Sequence, residues 1–258
     1  MLITIAILTS LLFASIYPLC FWISFDNPLK NNFHKFHLGL PNFVGGLTVI
    51  GLLLMPTLSL TVKILAVAWK VFFLSTSRYF WKRGNVHPLW ITLTACVGLI
   101  VYGLVRRELT PLGIETIFMD ILGGGVLCAA IYAMNLGHWY LNIHGLSLHH
   151  LTRAVYVFWD LVALRLLGDS ILLATTKIIH FGDSIPLYIF AQRLDGILLW
   201  VAVSFGTILP AILLWYVRAT LLVKSTQSAT GILYVILIAV FMGDLVYKYY
   251  LVKYGIVL

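Results

Sequence analysis

Apolar residues along this chain come in near-continuous runs of about twenty, broken by short clusters of Pro, Gly and charge. At 1.5 Å per residue such a run crosses a hydrocarbon core of about 30 Å as a helix. A transmembrane β-barrel would need strands that alternate apolar and polar residues, whereas Ile197 to Val217 and Ile232 to Met242 are apolar almost throughout. Backbone polar groups inside lipid must be satisfied within their own segment, so these runs predict an all-α, polytopic transmembrane helical bundle of about eight spans, with residues 1–258 as one integral-membrane domain.

Punctuation sets the expected boundaries. Met1 to Ile23 forms the first span, and a polar connector containing Asp26, Asn27, Pro28 and Lys30 leads to a second that starts at Phe33 or Pro41 and ends at Met55, before Pro56. Leu60 to Trp81 carries Lys63, Lys70 and Ser77 at every seventh position, a polar stripe on an apolar helix that suits either a crossing or an interfacial placement; the span count falls to seven in the second case. Further spans are expected over Pro88 to Val105, Ile114 to about Asn142, Leu151 to about Ile179, Tyr188 to Tyr216 with a bend near Pro210, and Gly231 to Tyr250.

Composition agrees with this pattern and removes whole classes of function. With 61% hydrophobic and 10% charged residues, the 258-residue chain cannot clothe a soluble globule in polar surface. The net charge of +8 comes from Lys and Arg scattered through short connectors, which read as topological anchors and headgroup contacts, with no nucleic-acid partner. Lys30, Lys35, Arg78, Lys82, Arg83, Arg153, Arg218 and Lys224 fall on one side of an eight-span arrangement, which assigns that side to the cytoplasm of a bacterial-type inner membrane. No Lys or Arg precedes Lys30, so the first run lacks the basic start of a secretory signal and is expected to stay as a span. Cys20, Cys96 and Cys128 lie inside apolar runs without metal-ligand spacing and read as small buried hydrophobes.

Histidine is the chemical signal. His34, His37, His87, His138, His144, His149 and His150 all stand at run ends that an eight-span arrangement puts on one face, leaving His180 opposite. Imidazole near a bilayer is costly unless it is ligated, hydrogen-bonded or titrated, so the collection points to haem, a metal or protons. A b-type haem between helices needs an imidazole from each of two spans and small residues beside the porphyrin edge. His138, which follows Gly137 on a helix that also holds Gly123-Gly124-Gly125, fits that description, with His37 as second ligand to the haem iron and His34, His87, His144, His149 and His150 as alternative ligands or propionate partners. A second possibility is a histidine-box metal centre, as in integral-membrane oxygenases and desaturases, formed from His34/His37 and His144/His149/His150; no carboxylate nearby would neutralise two metal ions.

A further set of charges is expected in the other half of the bilayer. Asp120, Arg165, Asp169, Asp195 and Asp244 come from four different runs, Arg165 and Asp169 are spaced to pair on one helix face, Asp160 lies on their run but closer to the histidines, and Gln192-Arg193 supplies donors for a quinone carbonyl. They are candidates for proton transfer and quinone contact, or for interhelical pairs that fix the packing. Trp81, Trp90, Trp139, Trp215, Tyr216, Tyr249 and Tyr250 read as interfacial belts. No nucleotide loop, HExxH pair, GxSxG elbow or internal repeat is present in the sequence. The ground plan is similar in outline to haem-bearing membrane anchors of respiratory oxidoreductases, and that likeness implies a membrane subunit that binds b-type haem, exchanges electrons between a quinone pool and a peripheral redox subunit, and draws the accompanying protons through the Asp and Arg set. The remaining alternative is a transporter or structural membrane subunit without cofactor.

Overall fold

The computed structural model describes residues 1–24, 33–83, 86–110, 116–143, 147–180 and 182–258. It is almost wholly helical, and the chain divides into two compact units, Met1–Ile117 and Phe118–Leu258. Among the described residues seven helical segments are long and apolar enough to cross a membrane: Leu2–Ile23, Phe33–Leu54, Leu60–Trp81, Pro88–Leu109, Ile117–Asn142, Leu198–Leu222 and Thr226–Tyr254. Leu60–Trp81 is among them, since most of its length is apolar in spite of Lys63 and Lys70.

The first unit is a ring of four helices. α1 (Leu2–Ile16) packs on α2 (Phe33–Leu54) and α4 (Pro88–Leu109), and α3 (Leu60–Trp81) closes the ring by packing on the same two. Pro18 cannot donate a backbone hydrogen bond, and from Tyr17 to Ile23 the chain continues α1 as a tighter 3-10 helix. Trp69 of α3 is buried in the ring, where its Nε1 donates to the Thr94 carbonyl at 3.1 Å. Glycine makes the room: a Cβ on Gly98 would lie 2.8 Å from Trp69 Nε1 and 2.6 Å from Ser15 Oγ, and one on Gly45 would lie 3.2 Å from Ala14 Cβ. Small residues let helices approach closely in lipid, where dispersion has to supply what the hydrophobic effect cannot. The start of α3 is capped twice, by Ser59 and by the Glu108 carboxylate, which accepts from Ser59 N at 2.7 Å and Ser59 Oγ at 2.5 Å, a negative charge at a positive helix end.

In the second unit, α5 (Ile117–Asn142) and α6 (His149–Thr175) are followed by a hairpin of β1 (Lys177–His180) and β2 (Asp183–Pro186), a short α7 (Leu187–Phe190), then α8 (Leu198–Val203), a π turn over Ser204–Ile208, α9 (Leu209–Leu222) and α10 (Thr226–Tyr254). The hairpin changes two expected boundaries. The sixth helix stops at Thr175, because Thr175, Thr176, Ile178 and Ile179 are β-branched and Gly182, at φ +89°, turns the chain back so that His180 pairs with Asp183. The following span starts at Leu198, twelve residues after the end of β2 rather than at Tyr188, since residues 191–197 are turns and bends. The π turn stands directly before Pro210, where the ring removes a donor. α6 is 27 residues long, enough to cross, but Arg153, Asp160, Arg165 and Asp169 make it more charged than the seven apolar segments.

α10 is the axis of this unit, packing along α8, the π turn and α9. Gly206 in the π turn and Gly243 in α10 meet backbone to backbone: a Cβ on Gly243 would fall 2.3 Å from Gly206 Cα and 2.5 Å from its nitrogen. Gly255, at φ +65°, ends α10 in the left-handed conformation, with its N–H on the Leu251 carbonyl and the next N–H on that of Tyr250. Gly243→Ala is expected to destabilise the protein by roughly 1–3 kcal/mol, as overpacking does, whereas Gly231→Ala, with nothing within 4 Å of the added carbon, should be neutral or slightly favourable. Thermal unfolding in detergent checks this; equal midpoints for the two variants would show that the crossing is slack.

Candidate functional site

The expected haem ligands are placed as follows. His37, on α2, is 1% exposed; its Nδ1 lies 2.7 Å from Tyr17 Oη, and Phe33 covers its ring at 3.9 Å between centroids. His34, three residues earlier and a little less than a turn around the helix, is half-buried beside the Trp81 carbonyl, and His87 is exposed at the start of α4. In the second unit His138 is exposed on α5, and its Nδ1 is 3.2 Å from the Tyr234 hydroxyl of α10. Gly137, beside it, faces α10: a Cβ there would meet Thr230 Oγ1 at 2.7 Å, so its small size serves helix packing. His149 is exposed and His150 buried at the start of α6, with their rings edge to face at 5.8 Å. His144 lies outside the described residues. Among the described residues no three His, Cys, Asp or Glu side chains converge as metal ligands, so the histidine-box arrangement has no donor set there.

The charged residues of the second unit do converge. Arg165 and Asp169, both nearly fully buried on α6, form the expected pair, with Arg165 Nε 3.1 Å from Asp169 Oδ1 at an angle too oblique for a hydrogen bond. The other carboxylate oxygen of Asp169 accepts from Tyr247 Oη at 2.5 Å, and the nearby Thr207 hydroxyl in the π turn donates to the Val203 carbonyl at 2.7 Å. The Arg165 guanidinium lies over the Tyr247 ring, 4.2 Å from its centroid, and donates to the Met119 and Leu258 carbonyls. Gly123 admits it, since a Cβ there would meet Arg165 Nη1 at 2.5 Å. On the same stretch of α10, Lys248, the residue after Tyr247, donates to Asp244, and both are buried. Asp120 is buried on the first turn of α5.

Several of these groups wall two small recesses, each with room for about one water molecule. Asp120, Lys248 and Leu258 line only the first, Gly206 and Val240 only the second, and Gly123, Arg165, Asp244 and Tyr247 line both.

The remaining candidates are apart from this cluster. Asp160 is exposed on α6; Asp169 is nine residues on, about half a turn around at 3.6 residues per turn, so the two face opposite ways. Asp195 and Arg193 flank His180 outside the long helices: His180 Nε2 lies 3.2 Å from Asp195 Oδ2, and Arg193 Nη1 lies 3.3 Å from His180 Nδ1. A guanidinium only donates, so Nδ1 accepts and Nε2 carries the hydrogen towards Asp195. Gln192 is exposed beside them. Three residues of the cluster went unread in the sequence: Tyr247, lost among the tyrosines that end α10, Thr207, and Lys248, whose spacing of four from Asp244 was the available signal.

No family model, no curated protein and no solved structure matches this chain.

Arg165→Met should cost roughly 3–5 kcal/mol by leaving the Asp169 carboxylate buried without its partner. Adding Asp169→Leu should return most of that loss. Denaturant unfolding in mixed micelles measures the cycle, and simple additivity of the two changes would mean that the side chains do not act as a pair.

Proposed function

We propose that the second unit handles protons within the membrane, passing them along Tyr247, Asp169 and the Asp244–Lys248 pair. The observation that carries this reading is the cluster of buried ionisable groups, Arg165, Asp169, Asp244 and Lys248, with Arg165, Asp244 and Tyr247 lining both water-sized recesses. Ionisable side chains in a bilayer are expensive, and a fold that only needed helices held together has a cheaper device in close glycine contacts such as Gly206 on Gly243. The Asp169–Tyr247 hydrogen bond, at 2.5 Å, joins two groups that can each give up or accept a proton without a large movement.

Proton handling serves an electron-transfer subunit, because quinone reduction takes up one proton for each electron, and it serves a proton-coupled transporter equally. One observation favours the first. His138 is exposed at the surface of its helix, and the Tyr234 hydroxyl on Nδ1 orients the ring and leaves Nε2 for iron, the arrangement in which a second group fixes a metal-binding imidazole. In this reading b-type haem binds at His138, quinone is the diffusing substrate, and a peripheral redox subunit at the cytoplasmic face of a bacterial-type inner membrane is the electron partner.

Two measurements test these readings separately. Reconstituted in liposomes with a pH-sensitive dye inside, the protein should conduct protons under an imposed gradient or during quinol turnover, and Asp169→Asn should lower the rate roughly tenfold or more. An unchanged rate in folded Asp169→Asn, or no flux under either drive, refutes proton handling. For haem, the reduced-minus-oxidised spectrum of the purified protein should show an α-band that His138→Ala removes; folded protein without that band leaves the transporter.

A further inference from the structure

His180 joins the hairpin of the second unit to the turn that follows α7, and its ring has a charged neighbour on each nitrogen. Nε2 lies 3.2 Å from Asp195 Oδ2 and Nδ1 lies 3.3 Å from Arg193 Nη1, while the Phe190 ring stands edge on at 5.2 Å between centroids. The imidazole is buried, whereas Arg193 and Asp195 both reach the surface. A guanidinium keeps its protons and has no acceptor, so its hydrogen bond to Nδ1 exists only while that nitrogen has a lone pair to offer. The arrangement is that of the neutral ring. The elements packed against β1 add the exposed Asp183, opposite His180 in the hairpin, and the exposed Tyr188 of α7. Tyr250 of α10 reaches the same turn, where its hydroxyl donates to the Asp195 carbonyl at 2.7 Å.

Imidazole is the side chain whose ordinary titration falls within pH 5 to 8. A proton on Nδ1 removes the acceptor that Arg193 uses and sets two cations side by side, and it makes the hydrogen bond from Nε2 to Asp195 a charge-assisted one. The two contacts therefore answer the same proton in opposite senses. The Arg193 contact belongs to the neutral ring, so it is present above the range in which the ring titrates and lost below it. Anchoring decides which neighbour moves. Asp195 is tied to α10 through Tyr250, and Gly196 beside it has no room for a Cβ against the Phe190 carbonyl. The Arg193 side chain is exposed and has open solvent to swing into.

We propose that His180 is a proton-controlled switch, which holds Arg193 against the hairpin when neutral and releases it when protonated. Asp195 keeps the hairpin and the turn together in both states. What changes with pH is the cation displayed five residues ahead of the span that begins at Leu198. The switch shares no side chain with the Asp169–Tyr247 site, and it stands whether or not that site conducts protons.

Solid-state NMR of the protein in lipid, labelled with 15N-histidine and with 13C-arginine or 13C-aspartate, reads the switch through carbon–nitrogen dipolar dephasing. At pH 8 the Arg193 Cζ should be dephased by an unprotonated Nδ1, and Arg193→Lys and His180→Gln should each remove that signal. Either variant assigns it, so misfolding of one leaves the other. At pH 5 the same ring should be an imidazolium, the arginine dephasing should fall to the background set by the variants, and the Asp195 carboxyl should stay coupled to Nε2. An Arg193 coupling that persists beside an imidazolium, one that is absent at pH 8, a ring still neutral at pH 5, or loss of the Asp195 coupling on acidification each overturns the proposal.

Discussion

A polar group inside a bilayer has no water to turn to, and this constraint shapes the molecule at every scale. It is why the backbone folds into helices that satisfy their own hydrogen bonds, and why the hairpin and turns from Lys177 to Ile197 stand between long helices. It is also why Lys70 reaches back to two oxygens of Asn42, and why Arg165 spends its donors on two carbonyls while its charge faces the Asp169 carboxylate. Once charge is accepted in such a place, its surroundings must be built to receive it. Gly123 leaves space for the guanidinium, and the π turn brings Thr207 near the carboxylate that the guanidinium faces.

Close contact between backbones supplies the rest of the cohesion. Gly45 and Gly98 let α1, α2 and α4 close on Trp69 in the first unit, and Gly206 and Gly243 bring the π turn against α10 in the second. The second crossing has a consequence for the charged cluster. A Cβ on Gly206 would also meet Tyr247 at 2.8 Å, so the contact that packs α10 sets the tyrosine whose hydroxyl reaches Asp169. Helix packing and the buried charged cluster share the same few residues.

The helical class was readable because twenty-residue apolar runs have a single solution in lipid, and the Arg165–Asp169 pair because a spacing of four puts two side chains on one helix face. The direction in which a residue points relative to its neighbours was harder to read. His37 and His138 stand at similar run ends, yet one turns inward onto Tyr17 and Phe33 and the other outward beside Tyr234, a difference decided by which neighbouring helix supplies the partner. Gly137 suggested a flat guest and serves Thr230. Tyr247 lay hidden in a run of tyrosines whose members look alike until tertiary contacts separate them, and the hairpin was too short to break the apolar pattern around it.

The central claim is that Asp169 exchanges a proton while buried against Tyr247 and Arg165. Infrared difference spectroscopy of the protein in hydrated lipid reads this directly, since a protonated carboxyl has its own carbonyl band. A carboxyl band that appears as the pH is lowered, and that Asp169→Asn removes while the helical amide signal stays intact, is the predicted result. A spectrum in which Asp169→Asn removes no titrating band would show a permanently ionised pair that serves only to hold the helices.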